Sequence, residues 1–179
     1  DDGEADLRLK IYRVGKPVSL SRVMPVLENL GLYVVQETGF PVDRRGADGE
    51  LFDRAHIHDF EMKSDALKGR NLKELAPNLE DALLAIADRR AEDDGFNRLI
   101  VEIGVTWREA AFLRTCARYR QQTGLDPSQA IQEEALAAYP DIARGLLELA
   151  RVKFDPEFAD DRKTRSDAVW EVSETLRKQ

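Results

Sequence analysis

The only two histidines of the chain stand two residues apart, in His56-Ile57-His58-Asp59. Alternate residues of a strand project to one face, so both imidazoles could ligate a single cation with a carboxylate as third donor. No second cluster of donors accompanies them, and the plainer reading is a structural or surface pair. A metal held there would be released as falling pH protonated the imidazoles. Asp93-Asp94 and Asp160-Asp161 are paired carboxylates of the type used in acid–base chemistry, but beside helical segments and other charges they read as solvated helix ends. Trp107, Phe112 and Tyr119 recur at helical spacing and read as core; if its indole is buried, Trp107→Ala should cost about 3–5 kcal/mol. Arg108, Arg114, Arg118 and Arg120 give the same segment a basic stripe. Cys116, the single cysteine, has no partner for an internal disulfide, and its neighbours Leu113, Ala117 and Tyr119 read as the surroundings of an inert core thiol. The sequence has no phosphate loop, no Gly-x-Gly-x-x-Gly after a strand and no Gly-x-Ser-x-Gly elbow. No residue is therefore assigned to a catalytic, cofactor-binding or metal site.

Composition limits what such residues can serve. A chain of 179 residues with 42% hydrophobic and 34% charged residues can bury a core and has the make-up of a globular protein. Its formal net charge of -7 argues against a nucleic-acid partner, which would require clustered cations to displace counterions, and weakens the helix-turn-helix reading of the arginine stripe. No run approaches the roughly 18 apolar residues of a membrane span and no signal peptide is evident, so no membrane partner is expected and the cytoplasm is the expected location. The chain opens on Asp1, which suggests a segment of a longer polypeptide.

The elements that must position these residues begin with a strand, helix and strand over residues 7–38. Leu7, Leu9 and Ile11 alternate with Arg8, Lys10 and Tyr12 as a strand does. Gly15 and Pro17 break the run, Ser19 or Ser21 caps a helix bearing Leu20, Val23, Met24, Leu27 and Leu30 on one face, Pro25 is placed in its first turn, and Gly31 ends it. A turn-rich connection over residues 43–49 leads to an antiparallel strand from Phe52 to Met62, with Phe52, Arg54, His56, His58 and Phe60 on one side. Ser64 to Pro77 reads as a linker or lid, and Asn78 as the cap of a helix bearing Leu79, Ala82, Leu83 and Ile86. The order β, α, β, β, α is a ferredoxin-like arrangement without its last strand. Residues 96–105 fit both a strand, through Leu99, Val101, Ile103 and Val105, and a helix, through Phe96, Leu99, Ile100 and Ile103. The helix is favoured because everything after it is helical. Thr106 and Glu109 form a capping box for a helix running to Thr123, Asp126-Pro127 is read as the start of the next, Pro140 as the start of another, and a last stripe runs through Ala168, Val169, Val172 and Leu176 with Trp170 beside it. The expected fold class is α+β: a lead-in over residues 1–6, a small ferredoxin-like βαββα module over 7–95 and an all-helical module of four to five helices over 96–179.

Asp94-Gly-Phe-Asn-Arg98, Gly104-Val-Thr-Trp-Arg-Glu109 and Arg118-Tyr-Arg-Gln-Gln-Thr123, together with Pro25-Val-Leu-Glu-Asn-Leu-Gly31 and Ile57-His-Asp-Phe60, resemble the large bacterial NAD-specific glutamate dehydrogenases over most of residues 7–155. The resemblance implies an ACT-like module followed by a helical motif, in an enzyme that oxidatively deaminates glutamate to 2-oxoglutarate with NAD. It also implies that the substrate-binding lysines and dinucleotide-binding glycines lie elsewhere in that enzyme, so this segment would be inactive alone, bind no cofactor of its own, and have as partners the remaining domains of its polypeptide and further copies in a homo-oligomer. ACT modules often bind small effectors near the loop between the first strand and first helix, here Val14-Gly-Lys-Pro-Val18. A spacer role for the module is the plainer alternative, and no ligand residue is assigned. A free-standing ACT-like sensor of amino acids acting on a partner protein is the second functional reading.

Overall fold

The computed structural model describes residues 6–124, 128–159 and 161–178, the side chains of Arg44 and Phe52 excepted. Proximity of Cα atoms divides the chain into two compact units, Asp1–Leu75 and Ala76–Gln179.

The first unit is built on a three-stranded antiparallel sheet of β1 (Leu7–Val14), β2 (Tyr33–Arg45) and β3 (Leu51–Lys63), in the order β1-β3-β2. Helix α1 (Leu20–Asn29) follows β1 and packs against β2. The core of this unit includes Leu27, Leu30, Leu32, Phe60 and Met62, all closed to solvent. Opposed residues of an antiparallel pair share a face, so one face carries Leu7, Leu9 and Ile11 with Met62, Phe60 and His58, and the other carries Arg8, Lys10, Tyr12 and Val14 with Glu61, Asp59, Ile57 and Ala55. β2 runs seven residues beyond the expected Thr38. It reaches a turn in which Gly46 N–H donates to the Glu50 carbonyl and Gly49 takes a φ of 83°, a conformation open to glycine.

Helix α2 (Leu72–Ala87) starts well before the expected cap. The Asn71 side chain accepts from Lys73 N–H at 3.1 Å and opens it, so Ser64 to Pro77 is a 3₁₀ turn at Asp65–Leu67 followed by helix. Asn78 lies inside α2 and donates to the Gly104 carbonyl at 2.9 Å. Pro25 is likewise interior to α1 and not in its first turn. Both prolines are exposed, and the carbonyls of Ser21 and Lys73, which lose the N–H four residues on, belong to exposed residues that water can satisfy. Helix α2 ends at a Schellman motif: Arg89 takes a positive φ of 59°, its N–H donates to Ile86 and that of Arg90 to Ala85.

The second unit continues with a 3₁₀ turn at Gly95–Asn97 running into α3 (Arg98–Ile103), α4 (Trp107–Gln122), α5 (Gln129–Ala138), α6 (Pro140–Phe154) and α7 (Arg162–Leu176). Residues 96–105 are thus helical. Four of the six residues of α3, namely Leu99, Ile100, Val101 and Ile103, are buried. Thr106 and Glu109 form the full capping box, with Glu109 N–H donating to Thr106 Oγ1 at 3.3 Å and Thr106 N–H to Glu109 Oε2 at 2.7 Å. The expected Asp126-Pro127 start lies outside the described residues, and Ser128 caps α5. Helices α6 and α7 pack on each other, with Gly145 directly under Leu176. No helix among the described residues is long and apolar enough to cross a membrane.

Candidate functional site

Strand β3 carries the two histidines, and its alternation sends them to one face, ring centroids 6.5 Å apart. Asp59 points the other way. His58 is buried and uses both nitrogens: Val18 N–H donates to Nε2 at 3.1 Å, and Nδ1 lies 2.8 Å from Glu37 Oε1. A nitrogen that accepts carries no proton, so His58 is the neutral tautomer with its proton on Nδ1, donating to the carboxylate. The ring therefore ties the end of the β1–α1 loop to β2 and offers a metal no free lone pair. No group of three or more metal-binding side chains converges among the described residues. On the opposite face Asp59 accepts from Arg8 Nη2 at 2.7 Å and faces Lys10 Nζ at 3.6 Å. The hydrogen bond from Arg8, against the opposing effect of burial, holds the Asp59 carboxyl below the usual range.

In the second unit the paired carboxylates part company. Asp93 is exposed, whereas Asp94 caps the 3₁₀ turn through Phe96 N–H and accepts from Arg114 Nε at 2.5 Å and Nη2 at 2.7 Å. Arg114, only 2% exposed, also donates to Asn97 Oδ1 at 2.9 Å. Gln129 of α5 donates to both Asp94 Oδ2 and Glu133 Oε1, at 3.0 and 2.6 Å. Gly95 permits this closure, since a Cβ there would lie 2.6 Å from Glu133 Oε2. A buried cation forked onto a carboxylate, with amides filling the remaining positions, is the construction of a structural lock. Asp161 caps α7 through Thr164 N–H at 2.8 Å, and its neighbour Asp160 lies outside the described residues.

The arginine stripe is dispersed by this packing. Arg114 is interior, Arg118 pairs with Glu92, and Arg108 lies over the Trp107 ring at 4.3 Å. The expectation of core aromatics on α4 is corrected: Trp107 is half-buried, donating its indole N–H to Asp81 Oδ2 at 2.8 Å, while Phe112 and Tyr119 are exposed. The buried face of α4 is Ala110, Leu113, Arg114 and Ala117, spaced 3, 1 and 3 residues apart, and the aromatics fall off it. Cys116 is also off it, on the exposed side and not in the core, with partial burial pushing its thiol pKa up. Between α6 and α7 an open groove of about 440 Å³ has Val152, Phe158, Val172 and Leu176 in its lining and Glu148 and Glu171 among its charged residues. It presents no nucleophile beside a base.

Residues 1–75 match the family described as "Glutamate dehydrogenase, ACT3 domain", and residues 91–156 that described as "Glutamate dehydrogenase, helical motif 3". The NAD-specific glutamate dehydrogenase of Pseudomonas aeruginosa is 38% identical over 152 residues, covering 85% of this chain and 9% of that protein. That of Halomonas elongata is 36% identical over 150 residues, covering 84% and 9%. The enzyme of Mycobacterium tuberculosis is 30% identical over 155 residues, covering 87% and 10%. The chain spans about a tenth of the length of the curated relatives it matches.

Proposed function

We propose, for a chain that belongs to the glutamate dehydrogenase family and carries its ACT3 domain and helical motif 3, that it is a non-catalytic regulatory and assembly segment of a larger NAD-specific enzyme. That enzyme oxidises L-glutamate with NAD⁺ and water to 2-oxoglutarate, ammonium, NADH and a proton, in the cytoplasm, with the residues that hold NAD and perform the chemistry outside this segment. The partners of the segment are the other domains of its polypeptide and further copies of it. One observation supports the reading best: the side chains best suited to chemistry are spent on internal bonds, His58 on Val18 and Glu37, Arg114 and Asp94 on each other. Purified alone, the 179-residue chain should show no glutamate-dependent reduction of NAD. Deleting its residues from the whole enzyme should alter assembly or effector response while the remaining protein retains its NAD site. Turnover by the isolated chain would overturn the reading.

An amino-acid-sensing role has one observation in its favour. The Ser19 hydroxyl at the start of α1 bonds the Ser21 hydroxyl at 2.8 Å and leaves the helix backbone without a side-chain cap, while Gly15, at φ 87°, has no atom within 4 Å of where a Cβ would stand. An N-terminus open in this way favours a carboxylate. Calorimetry of the chain against a panel of amino acids decides it: heat at millimolar concentration supports sensing, and its absence leaves the spacer role.

A further inference from the structure

Strand β1 is an edge. Its backbone parity is set by Gly15, whose N–H donates to the Arg54 carbonyl at 2.8 Å in register with the β1–β3 ladder. The odd residues of β1 therefore spend their N–H and C=O groups on β3, and those of Arg8, Lys10, Tyr12 and Val14 point outward. Edges are commonly blocked by cations standing over them. Here those cations lean inward: Arg8 bonds Asp59 and lies 3.3 Å from Glu61, and Lys10 faces Asp59. On the core face Phe60 and Met62 are closed to solvent, yet their partners Leu9 and Leu7, and Ile11 beside them, are only half-buried. Burial thus falls off from β3 to β1, at the margin of the sheet.

We infer that the outer edge of β1 pairs antiparallel with β1 of a second copy, making one continuous six-stranded sheet about a two-fold axis at Ile11. Charge selects the register. Faces stay matched only where even residues meet even ones. Centring on Lys10 opposes two lysines, whereas centring on Ile11 sets Lys10 against Tyr12, Arg8 against Val14 and Leu9 against Arg13 of the second copy, with no like charges opposed. Centring on Tyr12 shortens the paired stretch. The two Ile11 side chains then form a non-hydrogen-bonded pair with Cα atoms about 4.5 Å apart, and the half-buried Leu9 and Ile11 are covered.

This deepens the assembly reading above and rests on it. The test uses the 179-residue chain with Cys116→Ser, which removes the native exposed thiol. Ile11→Cys in that background should, under mild oxidation, give a disulfide-linked species of twice the 20.3 kDa chain mass, because that separation suits a disulfide. Lys10→Cys should give far less. Tyr12→Pro deletes an outward N–H and leaves the β1–β3 ladder intact, so sedimentation should fall from dimer to monomer with the thermal transition retained. A monomeric parent at 100 µM and above, a dimer that survives Tyr12→Pro, or cross-linking at Lys10→Cys equal to that at Ile11→Cys would each overturn the pairing. If the whole enzyme's assembly still depends on this segment when Ile11→Cys fails to cross-link, edge pairing falls and the assembly reading stands.

Discussion

At the scale of single residues, His58 and Arg114 hold more of the structure than their lack of a catalytic partner suggests. His58→Ala strands the Glu37 carboxylate and Val18 N–H in a half-buried position and should cost about 1–3 kcal/mol. Urea denaturation measures the loss, and faster hydrogen exchange at Val18 locates it. Arg114→Ala removes one partner of a buried pair and should cost roughly 3–5 kcal/mol, read in the same titration. The sequence marked His56 and His58 as sharing a face, which strand alternation dictates. It did not show their use, because Val18 and Glu37 lie 40 and 21 residues from His58. Asp94 and Arg114 were both noticed, but as members of other sets, a carboxylate pair and an arginine stripe. Sequence adjacency grouped them wrongly, since Arg114 lies 20 residues from Asp94 and meets it only where α4 packs on the turn at 95–97.

At the scale of elements, one capping box was legible, while the expected caps of α1 and α2 and the prolines misled. The Thr106–Glu109 box is local and needs no tertiary contact to be recognised. Pro25 reads as a first-turn residue and Pro77 as the end of a linker, yet both lie inside helices, where exposure lets water take the place of the lost hydrogen bond. Helix α3 was ambiguous because it is buried nearly all round, which erases the periodicity that separates helix from strand. The end of α2 gives a prediction: Arg89 bears the left-handed conformation without being glycine, so Arg89→Gly should raise stability by about 1 kcal/mol, seen as a higher melting temperature. Trp107, flanked by Arg90 and Arg108 and bonded to Asp81, is only half-buried. Its replacement by alanine should cost roughly 2 kcal/mol and not the 3–5 of a core indole, measurable by chemical denaturation.

At the scale of the whole molecule, stability should follow two opposing titrations. Asp59, Asp43 and Asp161 have pKa values lowered by Arg8, Arg54 and Thr164 respectively. Their stabilisation is complete above the unfolded carboxylate value of about 4 and is lost as pH falls through the lower folded values. Glu102 runs the other way: burial raises its pKa, Arg98 opposing, so its contribution is present at low pH and is lost as pH rises through that raised value. Unfolding free energy measured from pH 2 to 7 should therefore fall steeply below about pH 4. Asp59→Asn should flatten the acid limb, and Glu102→Gln should remove the loss above the ordinary glutamate range. An acid limb unchanged in Asp59→Asn would show that Arg8 contributes nothing to the charged form.

What the sequence determined by itself was whatever depends on near neighbours: the alternation of β1 and β3, the Thr106–Glu109 capping box, the α+β class, and the family through runs such as Asp94–Arg98 and Gly104–Glu109. Long-range pairing was left to the tertiary structure. It decided that His58 locks a loop, that Arg114 is interior, that Phe112, Tyr119 and Cys116 face outward, and that β1 is left as a sheet edge. The physical reason is common to all four. Burial and hydrogen-bond partnership are properties of the space around a side chain, and that space is filled by residues 17–40 positions away whose arrival no local pattern encodes.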